Sequence, residues 1–231
     1  MRVNESTVLA NDKVVLVPYR RHHVPKYHDW MQDASVLEAT ASERLTLQQE
    51  YDMQEMTFII LKRDPNVSVD DTDFMASHDN DEHMIGDVNV FISTDSDDDD
   101  DQLAELDSKD NAVRRRRDTR RAELEIMIAS PDDRRQGYAA STLRMFLPYV
   151  SKILSISPDR FFARIGASNV GSIRLFEKLG FKRGKLVQVF DEQQMDWDES
   201  RGTEWAWSLN YAELYSEAEP LVAPSREAIT N

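Results

Sequence analysis

The sequence predicts an α/β fold. Three observations predict it. Short apolar runs suited to strands recur at residues 14–17, 57–62, 84–93 and 122–129. Residues 124–150 read as a strand, a tight turn, a glycine and a helix in direct succession. The same order returns at 160–180, where an apolar run is followed by a helical stretch that Gly180 is placed to end.

The elements follow in order. Residues 14–17, Val-Val-Leu-Val, form the first strand, ended by Pro18. In residues 24–34, Val24, Tyr27, Trp30 and Met31 share one helical face, with Pro25 tolerated in the first turn. His22, His23 and His28 lie nearby. They read as surface or half-buried side chains rather than as catalytic or metal-binding ones, because no H-E-x-x-H spacing accompanies them. Residues 33–45 read as a loop, and Thr46 with Gln49 resembles a capping box that opens a second helix to about Gln54.

Residues 57–62 form the second strand. Residues 63–82 are polar and acidic and read as a long connection or disordered insertion. Residues 84–93 form a strand with Val88, Val90 and Ile92 on one face. Residues 95–101 are almost all aspartate, and Arg114 to Arg117 with Arg120 and Arg121 form a basic run. Both read as a solvated excursion whose opposite charges attract weakly. The functional alternatives are a tail for a partner, or contact of the basic run with a ligand's phosphates.

Residues 122–129 form the central strand, Leu124, Ile126 and Ile128 alternating with Glu123, Glu125 and Met127. A helix opens at Ala139 and runs towards Val150, where Pro148 predicts a kink or an end near Leu147. Residues 160–165 form the next strand. Residues 170–179 form a helix with Ile173, Phe176 and Leu179 inward. Phe181 starts a connection to a strand at 186–190, residues 191–201 read as an acidic turn with Trp197, and 203–209 form the last strand, with Trp205 and Trp207 in the core. Residues 212–231 read as a tail.

With 231 residues the chain suits one decorated domain. The absence of cysteine excludes disulfides, thiolate metal sites and a cysteine nucleophile. No apolar run reaches the ~18 residues of a membrane helix, so a cytosolic or nuclear protein is expected. The net charge of −15 argues against nonspecific binding to nucleic acid or anionic membranes. A polyanionic ligand would need a local basic patch, for which Arg134, Arg135 and Arg144 are candidates.

The stretch Arg134, Arg135, Gln136, Gly137, Tyr138, Ala139 sits where strand passes to helix. A helix start leaves backbone N–H groups without partners and carries partial positive charge. Gly137 lets a ligand approach the backbone, and arginine suits phosphate oxygens. A pyrophosphate cradle is the functional reading, and an ordinary helix start with a basic pair is the alternative.

A second stretch, A-R-I-G-A-S-N-V-G-S-I-R-L-F-E-K-L-G-F-K-R-G at 163–184, decides between them. Together the two resemble the acetyl-CoA-binding core of the GNAT superfamily of N-acetyltransferases. Arg134, Gly137 and Ala139 match its Arg/Gln-x-x-Gly-x-Gly/Ala motif. Asn169, Ser172, Gly180 and Phe181 match its second motif, with Glu177 and Lys178 in the E-K-x-G-F ending. V-V-L-V-P-Y, L-T-L-Q-Q-E-Y, I-G-D-V-N-V-F and E-L-E-I-M-I-A are similar to the N-acetyltransferase 9 family, over most of the chain from Val14 to Tyr211.

The resemblance implies a GNAT fold over residues 1–211: a mixed central sheet of six to seven strands flanked by helices, with acidic loop insertions. It implies acetyl-CoA as cosubstrate and no metal. The strand carries a bulge in this family, and the backbone of Ile126, Met127 and Ile128 would hold the pantetheine arm and the thioester. The neighbouring strand would splay away from it. Asn169, Ser172 and Phe176 would complete the coenzyme side. The implied acceptor is a protein N-terminal α-amine, the family being linked to tubulin. A small amine or lysine side chain is the enzymatic alternative, and partner binding without catalysis is the other.

Acetyl transfer to an amine requires a neutral nucleophile, so a carboxylate must take a proton directly or through water. Glu123 and Glu125 share one face of the central strand. Glu123 matches the position where related enzymes carry a strand glutamate and is the first candidate base; Glu125 is the second, or orients the acceptor; the alternative is that one of them simply pairs with an arginine. A backbone N–H near Met127 or Ile128 would stabilise the developing oxyanion. Many GNAT enzymes protonate the leaving thiolate with a tyrosine where this chain has Phe176, which leaves water, the product amine or Tyr211. The acceptor would be read by loop 33–45 and turn 191–201.

Overall fold

The computed structural model describes residues 4–40, 44, 46–47, 57–94, 119–198, 200 and 212–215. These residues hold nine strands, mostly in antiparallel pairs and with one parallel pair, and helices between them. The mixed α/β class expected from the sequence is therefore observed. The chain divides into two compact units. The first holds the described residues up to Asn89, with Ile126–Met145 and Ala212–Tyr215. The second holds those within Val90–Glu125 and Phe146–Ser208.

In the first unit, β1 (Thr7–Ala10) and β2 (Val14–Pro18) form an antiparallel hairpin, pairing Leu9 with Leu16 and Ala10 with Val15. The sequence reading began the strands at residue 14. The hairpin turn is fixed by Asn11, whose side-chain oxygen accepts the N–H groups of Lys13 and Val14 at 2.9 and 3.0 Å. Every residue of β1 and β2 is buried, so both read as continuous apolar runs without alternation. β2 pairs with β3 (Phe58–Lys62), and β3 with β4 (Met84–Thr94). β9 (Ala212–Tyr215), placed in the tail by the sequence reading, pairs with β1.

α1 (Val24–Trp30) starts with Pro25 in its first turn, as expected, and stops short of residue 34. A separate helix, α2 (Ala34–Thr40), occupies most of the expected loop 33–45. Asp33 starts it by accepting the Ser35 N–H at 2.8 Å, and Val36 anchors it in a cluster with Met31, Met127 and Ala129. Residues 63–82 are also structured rather than a loose excursion. They fold around α3 (Phe74–His78), whose Phe74 and His78 are buried one turn apart. His78 binds the Phe74 carbonyl at 2.8 Å and accepts the Asp64 N–H at 3.0 Å. Two buried anchors outweigh the polar composition around them.

β5 (Arg120–Ile128) does not keep the simple alternation expected of it. Ala122 and Leu124 are buried, but the next buried positions are Met127 and Ala129. The pattern slips by one residue, as a β-bulge makes it slip. Ile126 and Ile128 therefore lie only half-buried. Gly86 on β4 explains how closely the strand approaches there: a Cβ at Gly86 would collide with the Met127 carbonyl.

In the second unit, β5 pairs in parallel with β6 (Phe161–Gly166) only at Ala122–Phe161 and Glu123–Phe162. β6 runs on to Gly166 against β8 (Glu192–Trp197) on its other side. α4 (Tyr138–Leu154) contributes its first half to the first unit and its second half to this one. It continues through Pro148, contrary to the expected break near Leu147. A mid-helix proline costs about 3 kcal/mol. Phe146, Leu147, Tyr149 and Val150 are all buried around it, at about 1.5–3 kcal/mol each, and so outweigh that cost.

α5 (Val170–Leu179) has the predicted bounds and the predicted inner face, Ile173, Phe176 and Leu179. Gly180 ends it with φ 102°, in the left-handed region. β7 (Phe181–Val187) begins at once and turns at 188–191 into β8. The expected acidic turn at 191–201 is thus largely a strand, because Met195 and Trp197 point inward together. The expected strand at 203–209 with Trp205 and Trp207, the helix to Gln54, most of the charged excursion and Tyr211 lie outside the described residues.

Candidate active site

The cradle stretch belongs to the first unit. Ile128 ends β5, a 3-10 turn spans Pro131–Asp133, and α4 opens at Tyr138. Arg135 and Gly137 both have left-handed backbone, φ 63° and 86°. Only glycine adopts this without strain, and a substituent at Gly137 would also crowd Lys13 Nζ at 3.3 Å. The first helical bond runs from Ser141 N to Gly137 O at 3.0 Å. The N–H groups of Tyr138, Ala139 and Ala140 therefore have no acceptor within the helix. An exposed helix start with three such donors, a left-handed glycine and adjacent cations fits a diphosphate.

The two arginines take different parts. Arg134 turns back: Nε donates to Ile128 O at 3.0 Å and Nη2 to Ala129 O at 2.9 Å. Its guanidinium clamps the turn to the end of β5 through Nε and Nη2. Lys62 does the same from β3, with Nζ 2.5 Å from the nearly buried Asp133 carboxylate. Gln136 Nε2 donates to Asp132 O at 2.6 Å. Arg135 is exposed.

Glu123 and Glu125 belong to the second unit. Arg164 on β6 donates from Nη1 to Glu123 Oε2 at 3.1 Å. Beside this pair, Arg121 Nη2 lies 3.3 Å from Asp196 Oδ1, and the Arg121 guanidinium sits 4.1 Å from the centre of the Phe162 ring. The sheet face opposite buried Ala122 and Leu124 is thus a charged network, with Glu123 inside it and Glu125 exposed. Sequence reading missed Arg164. Nothing in the chain order marks it as Glu123's partner, since the pairing depends on β5–β6 register.

The second motif resolves into structural roles. Asn169 is the N-cap of α5, its side-chain oxygen accepting the Ser172 N–H at 3.1 Å. Phe176 is 2% exposed and packs edge-on against Phe181, with ring centres 5.0 Å apart. Phe181 packs in turn against Trp197. Phe176 is thus packed in the core.

His22 and His23 converge with Asp79 in the first unit, and His28 does not. His23 Nε2 lies 2.6 Å and His22 Nε2 3.1 Å from Asp79 Oδ1. His23 Nδ1 accepts the Arg20 N–H at 3.0 Å, so in neutral His23 the proton sits on Nε2 and points at Asp79. A nitrogen carrying a proton cannot ligate a metal. Burial pushes the His23 pKa below its ordinary value, against the pull of Asp79. Burial pushes the Asp79 carboxyl up, but its bonds from His22 and His23 outweigh this and hold it well below the usual range. The group is a staple between the segment before α1 and the segment after α3.

Residues 13–182 match the acetyltransferase (GNAT) domain family. The chain belongs to the GNAT acetyltransferase family. An N-acetyltransferase 9-like protein of Nematostella vectensis is 36% identical to this acetyltransferase over 211 residues, covering 88% of this chain and 91% of the relative. The alpha/beta-tubulin-N-acetyltransferase 9 of Mus musculus is 36% identical over 208 residues, covering 83% and 71%. That of Homo sapiens is 35% identical over 206 residues, covering 83% of each. A spermidine N-acetyltransferase from Vibrio cholerae, solved with CoA and spermine, shares the GNAT fold at a TM-score of 0.52 and 16% identity, over 80% of this chain and 95% of that one. The family match spans both motifs of this GNAT acetyltransferase and ends just past Phe181.

Proposed function

We propose that this acetyltransferase moves acetyl from acetyl-CoA directly to a protein N-terminal α-amine, with tubulin as the acceptor. The observation that carries the coenzyme half is the left-handed Gly137 ahead of three helix-start donors. The coenzyme's diphosphate is bound there, and the thioester half runs along the backbone of Ile126, Met127 and Ile128. The solved relatives bound to CoA support this reading. The acceptor half is supported by the names of the mouse and human relatives.

With no cysteine in the chain, transfer needs no thiol acyl-enzyme, and the amine attacks the thioester in a ternary complex. Glu123 or Glu125 takes the amine proton directly or through water. The test is thermal unfolding with acetyl-CoA, comparing the protein with Gly137→Glu, followed by peptide assays. Ligand at 100 times its dissociation constant stabilises by ~2.7 kcal/mol. The wild type shifts and the folded variant does not. Acetylation of peptides with tubulin N-termini, and not of the same peptides with a blocked α-amine, supports the acceptor. No shift at saturating ligand overturns the reading.

A second reading, partner binding without catalysis on the same fold, draws on Phe176, buried and without a hydroxyl at the motif position where a tyrosine acid is expected. A double Glu123→Gln, Glu125→Gln variant separates the two: microtubule stabilisation lost together with turnover favours the enzyme, and microtubule stabilisation retained with turnover lost favours the binder.

A further inference from the structure

We propose that Lys13, on the turn of the β1–β2 hairpin, is a further phosphate-binding residue of the cradle and contacts the coenzyme's diphosphate. The inference rests on the coenzyme reading above and names a cation that neither sequence motif contains.

Lys13 Nζ donates to Gln136 O at 3.1 Å and lies 3.3 Å from where a Gly137 Cβ would stand. It therefore sits on the one glycine whose bareness opens the cradle. Its position is built rather than incidental. Asn11 closes the turn with its side-chain oxygen and donates from Nδ2 to Ser141 O at 3.3 Å, while Ser141 Oγ donates back to Asn11 at 3.3 Å. From the other side, Arg63 N donates to Lys13 O at 3.0 Å and Arg63 Nη1 to Asn11 O at 3.2 Å. The hairpin turn is thus docked onto the first turn of α4, which carries Lys13 to the cradle.

The electrostatics point the same way. A cation at a helix N-terminus opposes the macrodipole, and here a second one, Arg135, stands beside it. Among the described residues, neither Lys13 nor Arg135 forms an ion pair with a carboxylate. One carbonyl uses one of the three ammonium donors, leaving two for a ligand. Lysine binds phosphate as a point charge with donors to spare, and a diphosphate turns this like-charge grouping from unfavourable to favourable.

The test measures dissociation constants of the full chain, Lys13→Ala and Lys13→Arg for acetyl-CoA and for dephospho-acetyl-CoA, which lacks the 3′-phosphate. It also measures kcat/KM with S-acetylpantetheine, which carries no diphosphate. Lys13→Ala is expected to weaken both nucleotides by about tenfold, with a shallower salt dependence, and Lys13→Arg to restore most of the loss. S-acetylpantetheine turnover stays within about twofold of wild type. Unchanged nucleotide affinity overturns the proposal. So does an equal loss with S-acetylpantetheine, which marks a structural role, or a loss confined to acetyl-CoA, which places Lys13 at the 3′-phosphate. Wild-type protein that binds neither nucleotide overturns the coenzyme reading itself, a result that no Lys13 variant can mimic.

Discussion

Arg164 Nη1 lies 3.1 Å from Glu123 Oε2, so the carboxylate best placed by sequence to act as a base already holds a cation. A paired carboxylate favours its ionised form and is a weaker proton acceptor than an unpaired one. The two side chains are only partly exposed, 35% for the arginine and 18% for the glutamate. If Glu123 takes the amine proton, Arg164 holds the carboxylate in place as it does so. Arg164→Met should then lower kcat/KM with little change in acetyl-CoA affinity. Glu123→Gln should lower kcat/KM by about 100-fold or more, and Glu125→Gln by less. Unchanged kcat/KM in Glu123→Gln assigns the base to Glu125 or to water.

The parts of this fold that were legible in the sequence share a physical feature: their signals are local. The α5 helix was bounded to the residue because its N-cap, inner face and left-handed Gly180 lie within twelve residues. The strand, turn and helix order at 128–138 was legible for the same reason. What was missed depends on partners distant in sequence. β1 lacked a visible match until β2 and β9 flanked it, and β8 was hidden by acids around Met195 and Trp197. Pro148 misled because its cost is local and its compensation tertiary. Arg134's charge is plain in sequence, whereas its bonds to the Ile128 and Ala129 carbonyls are not. Lys13 and Arg164 carried no motif at all.

The His23–Asp79 staple gives the first unit a pH dependence of known sign. Buried His23 has a folded pKa below its ordinary value, so the unfolded chain takes up a proton near pH 6.5 that the folded chain refuses. Stability is therefore lost as pH falls from about 6.5 towards the folded pKa, at up to ~1.4 kcal/mol per pH unit. The Asp79 contribution is present above its ordinary value of 3.8 and is lost only at lower pH. Arg20 and His22, the other charged or titratable groups facing this pair, stay in place in the comparison. His23→Gln keeps an amide in the ring's place without a titrating group. Urea unfolding between pH 7.5 and 5.0 should be steeper in pH for wild type than for His23→Gln. Equal slopes would mean that the acid sensitivity arises elsewhere.

Phe176 poses the last question, because the GNAT motif leads to the expectation of a tyrosine at this position and this chain has none. In a surface-facing site, Phe176→Tyr would add a general acid and raise kcat. The ring is 2% exposed and held edge-on by Phe181, which Trp197 supports on its far side. A hydroxyl added there enters a packed core, and without a partner it costs about 1–3 kcal/mol. The expected outcome is a destabilised protein with kcat within about twofold of wild type, read by denaturant unfolding and steady-state kinetics on the same preparation. A rise in kcat of tenfold or more with unchanged stability would show that Phe176 faces the reacting thiolate, and would make the missing hydroxyl a catalytic handicap of this enzyme. The core packing predicts the first result, which would leave water, the product amine or Tyr211 to protonate the leaving thiolate.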